Sequence, residues 1–257
     1  MTNSISSIKS TDSLTTDFGY KTIPLSEKTT RVAEIFQSVA SQYDLMNDLM
    51  SLGLHRLWKK FARELAQLRP GDKVLDVAGG TGDLAKAFIK RVGTRGKVTL
   101  LDINAAMLKI GRDRLIDAGL IDIPAIQANA ECLPFAEDSF DCLSIAFGLR
   151  NVTNKTNALK SMYRVLKPGG RLLVLEFSKP ALGFLQSLYD SYSFEFLPKL
   201  GAWIVNDEAS YRYLVESIRR HPDQETLKSL ILASGFDECE YHNLSGGIVA
   251  LHRAWKF

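Results

Sequence analysis

The sequence predicts an α/β fold, a doubly wound and mostly parallel seven-stranded sheet with an N-terminal helical extension. Two observations lead to it. From Lys73 onward five apolar runs, Val74 to Val77, Val98 to Leu101, Pro124 to Ala128, Cys142 to Phe147 and Arg171 to Phe177, alternate with helical patterns near 82–92, 105–118 and 155–166. Two further strand-like runs lie within 236–256, joined through Ser245-Gly246-Gly247. Alternation at this interval calls for right-handed β-α-β crossovers, because a right-twisted strand feeding a helix packs back onto its sheet with that hand.

Before the sheet, residues 1–27 are rich in Ser and Thr without an apolar run, and are expected to fray. They do not read as a signal peptide, which needs such a run, nor as an Arg-rich presequence. Residues 28–72 read as a helical cap. Val32, Ile35, Phe36 and Val39, then Leu54, Leu57, Trp58, Phe61 and Leu65, recur at helical spacing, and polar breaks divide them into two or three helices. Arg69-Pro70-Gly71-Asp72 ends the cap with turn chemistry. Residues 73–257 form the main domain, with an aromatic-rich helical insertion at about 181–220 that includes Phe184, Tyr189, Tyr192, Phe194, Phe196 and Trp203.

The 257 residues carry 32 basic and 29 acidic side chains, for a net charge of +3. The charges are dispersed, so nucleic acid is not an expected partner. Cys132, Cys142 and Cys239 lack C-x-x-C spacing, and His55, His221, His242 and His252 form no paired ligand motif. Neither a disulfide framework nor a bound metal is expected. No uncharged apolar stretch reaches bilayer length, so a soluble cytoplasmic protein is expected, with any membrane contact peripheral.

The chemistry-bearing segment is Asp76-Val77-Ala78-Gly79-Gly80-Thr81-Gly82-Asp83. Gly80-Thr81-Gly82-Asp83-Leu84-Ala85 fits a dinucleotide-binding spacing, and Asp102 ends the next strand where an acid can bind ribose hydroxyls. Spacing alone leaves two cofactors open, a nicotinamide dinucleotide and S-adenosylmethionine. The neighbouring charges separate them. A pyrophosphate sits on a helix N-terminus, and the Asp76 and Asp83 carboxylates would repel it there. S-adenosylmethionine has no phosphate and carries a sulfonium and an ammonium. Asp83 also reads as a first-turn acid, and Asp76 as a strand-end residue bonded to loop amides. Asn129-Ala130-Glu131 follows the third strand on the same sheet edge as Asp102, where it would face an adenine.

With Arg164-Val165-Leu166-Lys167-Pro168-Gly169-Gly170-Arg171 before strand five, this order of loops resembles the class I, Rossmann-like S-adenosylmethionine-dependent methyltransferases. The likeness sharpens over about residues 30 to 257. Phe36-Gln37-Ser38-Val39-Ala40-Ser41-Gln42-Tyr43-Asp44, Met46-Asn47-Asp48, Phe147-Gly148-Leu149-Arg150-Asn151-Val152, Leu175-Glu176-Phe177-Ser178-Lys179-Pro180 and Ser210-Tyr211-Arg212-Tyr213-Leu214 resemble the UbiE family of ubiquinone/menaquinone biosynthesis C-methyltransferases. The glycine loop and the Lys-Pro-Gly-Gly turn are shared widely; Phe-Gly-Leu-Arg-Asn and Leu-Glu-Phe-Ser-Lys-Pro are specific. The resemblance implies S-adenosylmethionine as cofactor, with Thr81, Asp102, Asn129 and Ala130 at contacting positions, beside Asp76, Gly79, Gly80 and Gly82 from the reading of the glycine loop. Ala146 stands where related chains commonly have Ser, which leaves a backbone group for that contact.

The substrate implied is a demethylated, polyprenylated benzoquinol or naphthoquinol, methylated on a ring carbon. Such a carbon is nucleophilic once the adjacent hydroxyl is deprotonated, and a phenol titrates near pH ~10, so the site must favour the phenolate. Arg150 is placed to stabilise that charge and Asn151 to orient the hydroxyl or a water, with a loop-packing salt bridge as the other reading of Arg150. Glu176 is a candidate base or equally a structural acid. Tyr43, Asn47 and Tyr211 are candidate substrate contacts. The isoprenoid tail gives the 181–220 aromatics a use as an apolar mouth, with Lys160, Arg164 and Lys167 turned toward anionic lipid or simply solvated. Association into homo-oligomers or with other quinone-biosynthesis enzymes stays open.

A nicotinamide-dependent oxidoreductase, a nucleic-acid methyltransferase and a non-catalytic scaffold are the competing readings. Asp83 and the lack of a Tyr-Lys or metal set disfavour the first, and the absence of a Pro-Pro-aromatic motif after strand four disfavours the second. The intact glycine loop with Asp102 disfavours the third.

Overall fold

A computed structural model describes residues 15–40, 43–180 and 208–257, apart from the side chains of Asp44 and Glu208. The expected aromatics from Phe184 to Trp203 lie outside the described residues.

The chain opens with a two-stranded hairpin, β1 (Thr15–Phe18) and β2 (Lys21–Pro24), and three helices, α1 (Leu25–Val39), α2 (Tyr43–Ser51) and α3 (His55–Leu65). The main sheet follows as β3 (Lys73–Val77), α4 (Asp83–Val92), β4 (Lys97–Asp102), α5 (Ala105–Asp117), β5 (Ala125–Gln127), β6 (Phe140–Ala146), α6 (Lys155–Val165) and β7 (Leu166–Phe177). It closes with α7 (Glu208–Arg220), α8 (Gln224–Ala233), β8 (Glu238–Leu244) and β9 (Val249–Trp255). The seven strands are ordered β5-β4-β3-β6-β7-β9-β8, parallel from β5 to β7, with β9 antiparallel to both neighbours. Strand order reverses at β3, and a crevice opens there beyond the carboxyl ends of the strands.

The central strands are apolar on both faces because helices cover both. Val74, Leu75, Asp76 and Val77 of β3 are all buried. Leu84, Ala85, Phe88 and Val92 turn one face of α4 into the core, and Phe88 is fully buried. Polar side chains fix the helix starts at the crevice edge. Asn104 Oδ1 accepts from the Met107 amide at 3.0 Å to begin α5, and Asn154 Oδ1 accepts from Asn157 at 3.0 Å to begin α6.

Three expectations are corrected. Within 1–27, residues 15–24 form the hairpin rather than fraying. Its support is tertiary: the Tyr20 amide donates to Glu216 Oε2 at 3.0 Å, and Phe18 stacks on Tyr213 at 4.4 Å. The cap begins at Leu25, directly after that hairpin, and α8 adds a helix between the insertion and the late strands, with Asp223 Oδ1 accepting from the Thr226 amide at 2.9 Å. The basic face around α6 is largely engaged at home. Arg164 donates to the Leu133 and Phe135 carbonyls at 2.7 Å each, and Lys167 pairs with Asp141 at 2.6 Å. No helix of the described residues is long and apolar enough to cross a membrane.

Candidate active site

A partly open cleft lies at the reversal of strand order. Gly80, Asp102, Asn129, Ala130 and Asn151 line it from the sheet side, and Thr29, Val32, Ala33 and Phe36 of α1 close it from above. A second lobe shares Tyr43, Ala78 and Phe147 with the first and adds Asp76, Gly79, Thr81 and Ala146, with Lys59 and Asp83 at its rim.

The glycine loop needs its glycines for space and backbone hand. A Cβ on Gly79 would stand 2.4 Å from Leu100 Cδ1 and 2.7 Å from Asp76 Oδ2. Gly80 has φ +51°, in the left-handed region that favours glycine. The loop is tied to Asp102, whose Oδ2 accepts from the Gly80 amide at 2.9 Å and whose Oδ1 accepts from Asn104 at 2.8 Å. Gly82 lines neither lobe; it caps α4 with φ +80°.

Two carboxylates here are buried without an ion pair, although the Lys59 ammonium lies close enough to favour the charge of Asp76. Burial pushes Asp102 up to about 6, although the amides of Asn104 and Gly80 favour its charge. Burial likewise pushes Asp76 up to about 7, against hydrogen bonds from Ser144 Oγ at 2.7 Å and the Ala85 amide at 3.1 Å. Asp83 differs. Burial works to raise it, yet the Lys59 ammonium 2.7 Å away overcomes this and holds it below the usual carboxylate range. The charge of Asp83 is thus answered inside the chain, so the case for a cationic ligand narrows to Asp76 and Asp102.

Arg150 and Glu176 stand behind the cleft rather than in it. Arg150 Nη1 meets Glu176 Oε1 at 2.9 Å, with the two side chains 4% and 1% exposed. The Arg150 amide also donates to Glu176 Oε2 at 3.2 Å, the Phe177 amide to Oε1 at 2.9 Å, and the Arg150 guanidinium to the Phe147 carbonyl. This geometry favours the structural reading of Glu176, whose two oxygens are both engaged by this chain, and of Arg150 Nη1, while Arg150 Nε is buried without a hydrogen-bond partner among the described residues. Of the substrate candidates, Tyr43 lines both lobes. Asn47 and Tyr211 line neither, and Tyr211 is packed in the core at 1% exposure.

Tyr213 was not singled out from the sequence, although it sits two positions beyond Tyr211 in the same motif. Its hydroxyl donates to Asn151 Oδ1 at 3.0 Å, and burial drives its ionisation far above the usual tyrosine range. Of the four α1 side chains lining the cleft, Val32 shows only as helical periodicity, Phe36 also opens a family motif, and Thr29 and Ala33 carry no sequence signal. Asn104 fastens α1 there, its Nδ2 donating to the Ala33 carbonyl at 3.0 Å.

The model of the ubiE/COQ5 methyltransferase family matches residues 25–256. The chain belongs to that family. It is 61% identical over 244 residues to the ubiquinone/menaquinone biosynthesis C-methyltransferase UbiE of Legionella pneumophila strain Philadelphia 1, covering 95% of this chain and 98% of that one. It is 60% identical over 243 residues to the UbiE protein of Pseudomonas aeruginosa strain LESB58, covering 94% and 95%. Solved structures share the fold. A methyltransferase from Thermotoga maritima superposes with a TM-score of 0.62 at 21% identity over 87% of this chain and 99% of its own. One from Aquifex aeolicus gives 0.56 at 16% identity over 77% and 89%. Membership in the family makes the chain an S-adenosylmethionine-dependent methyltransferase. The site agrees with that cofactor: a cradle that a Cβ would fill, and two buried acids that no ion pair neutralises.

Proposed function

We propose that this chain methylates a ring carbon of a demethylated, polyprenylated quinol, and that Asn151 holds the ring oxygen beside that carbon. The observation that carries the second half is the Tyr213 hydroxyl on Asn151 Oδ1, which leaves the Nδ2 hydrogens of Asn151 to serve the cleft. Names of the UbiE relatives support the first half. S-adenosylmethionine, when bound, supplies an electrophilic methyl group. Asp102 and Asn129 would hold its ribose and adenine end, the Gly79-Gly80 backbone its middle, and Asp76 with Thr81 its charged end.

The carbon becomes a nucleophile as the adjacent oxygen takes on phenolate charge, and donors fixed in place before reaction stabilise such charge best. Tyr213, kept protonated by burial, fixes Asn151 as one such donor rather than acting as a base. Tyr43 and Phe147, shared by both lobes, stand where ring and cofactor must meet. Because the substrate's tail is lipid-soluble, the enzyme works at a membrane surface.

Supplying labelled S-adenosylmethionine with demethylated benzoquinol and naphthoquinol of short chain length tests the reaction and the ring choice together. Label in neither product would defeat the quinol reading. Asn151→Ala should lower kcat by about 10²-fold, with affinity for S-adenosylmethionine little changed, and an unaltered kcat would take Asn151 out of the mechanism.

Cofactor affinity should also depend on pH with a defined sign. Protonation of Asp76 removes a negative charge facing a sulfonium and an ammonium, and protonation of Asp102 weakens its acceptors for the ribose hydroxyls. Calorimetry between about pH 5 and about pH 8 should therefore show binding tightening at least about tenfold as pH rises through the values of about 7 and about 6. The ligand-free fold responds the other way. Its acids hold protons more tightly folded than unfolded, so the stability they confer is complete below about pH 4 and is lost as pH rises through their folded values. A flat affinity profile would separate these carboxylates from cofactor charge.

A further inference from the structure

The most exposed large apolar side chain among those described is Leu52, 74% exposed in the turn between α2 and α3. Its backbone has φ +49°, a left-handed conformation that costs a non-glycine residue free energy. A Leu held there buries little apolar surface within the fold. The exposure continues along α3: Leu57 is 61% exposed and Phe61, one turn on, 37%, its ring edge resting on His242. His55, Trp58 and Ala62 carry the opposite face of the same helix into the core. The outward apolar stripe is therefore set by the anchored inner face and does not depend on how a side chain happens to rest.

A basic band borders that stripe. At the helical interval Arg56 and Lys60 stand one turn apart beside Leu57 and Phe61, followed by Arg63. Arg56 is 66% exposed even while paired with Asp48, and Lys60 carries no ion pair among the described residues. The helix has a single acid, Glu64, which Arg63 and Arg91 already engage. A second copy of this chain packed on the face would bring another basic band to it with no acid left to answer. An anionic surface with an apolar interior complements both features at once, the headgroups taking the cations and the acyl layer the leucines.

We infer that the α2–α3 turn and the outer face of α3 form a docking surface for an anionic lipid bilayer, through Leu52, Leu57 and Phe61 inserted and Arg56 and Lys60 on the headgroups. Its purpose rests on the prenylated-quinol reading. Lys59, on the same helix, lines the cofactor cleft with Tyr43, so docking by this face sets the cleft at the membrane boundary where a tailed ring would enter.

Flotation of the full chain with phosphatidylcholine vesicles, with and without phosphatidylglycerol, tests this directly. Wild type should float with the anionic vesicles and much less with the neutral ones. Leu52→Ser/Leu57→Ser should lower the partition at least about tenfold, and Arg56→Gln/Lys60→Gln about fivefold per charge. All four positions lie outside the cleft, so both variants should methylate a short-chain quinol in solution at the wild-type rate and lose rate only on a long-chain quinol held in vesicles. Flotation undiminished in both variants would overturn the assignment, as would failure of wild type to float, or a loss of dimer by light scattering in the leucine variant with flotation retained. Flotation is read without any substrate, so a chain that floats as stated but methylates no quinol would refute the substrate reading and leave the surface standing.

Discussion

Glu176→Ala should cost the fold about 3–5 kcal/mol, seen as a large fall in unfolding midpoint in denaturant. The expected loss follows from what remains: a guanidinium at 4% exposure, held under Phe147 and Phe177, with its carboxylate gone. Arg150→Ala should do the same from the other side, leaving Glu176 with backbone amides alone. The informative comparison is Glu176→Gln, which keeps the shape and an acceptor for the Arg150 group. If Glu176 only positions the loop, turnover of the glutamine variant follows its folded fraction and its pH profile keeps the wild-type form. If Glu176 removes the substrate proton, kcat collapses in a protein that remains folded. The structural outcome is the expected one, because the carboxylate is held by the Arg150 guanidinium and amide and by the Phe177 amide.

Asp102→Ala should weaken S-adenosylmethionine binding by at least about 10²-fold. Two backbone amides, of Gly80 and Asn104, lose a charged acceptor, and each such hydrogen bond is worth about 1.5–3 kcal/mol. The first releases the glycine loop and the second loosens the start of α5, so the cradle is lost along with the acid. Isothermal titration calorimetry measures this, and Asp102→Asn, which restores one acceptor, should recover part of it. An affinity within about threefold of wild type would mean that the loop holds its shape without Asp102.

How much of this was legible beforehand depends on the range over which each feature is encoded. The parallel strands were readable because a strand buried on both faces reads as a largely apolar run, and β3, β4, β6 and β7 each contain one, broken by single polar residues such as Asp76, Thr99 and Ser144. The glycine loop was readable because its spacing and its acid twenty-two positions on are local grammar. Features made by distant segments were not readable. Whether Glu176 faces substrate or Arg150 depends on how the turn after β6 folds over β7, and neither segment encodes that alone. The hairpin at 15–24 is weak by its own composition and is held by Glu216 and Tyr213, about two hundred positions away. Tyr213 carries the same difficulty, since its part is defined only by the asparagine it touches. Asp83 looked like a charge offered to a ligand until Lys59, from a separate helix, came into contact with it.

The order of the last three strands bears on how the chain is made. β9 is the final strand in sequence yet sits inside the sheet, between β7 and β8. Until Val249–Trp255 leaves the ribosome, β7 presents an unpaired border of apolar residues, and β8 has no partner. Such a border is a template for pairing with any other extended chain. A nascent or clipped molecule that lacks β9 can thus hold a finished glycine loop and still be exposed to aggregation, because the seven residues that seal the sheet are made after both strands they join.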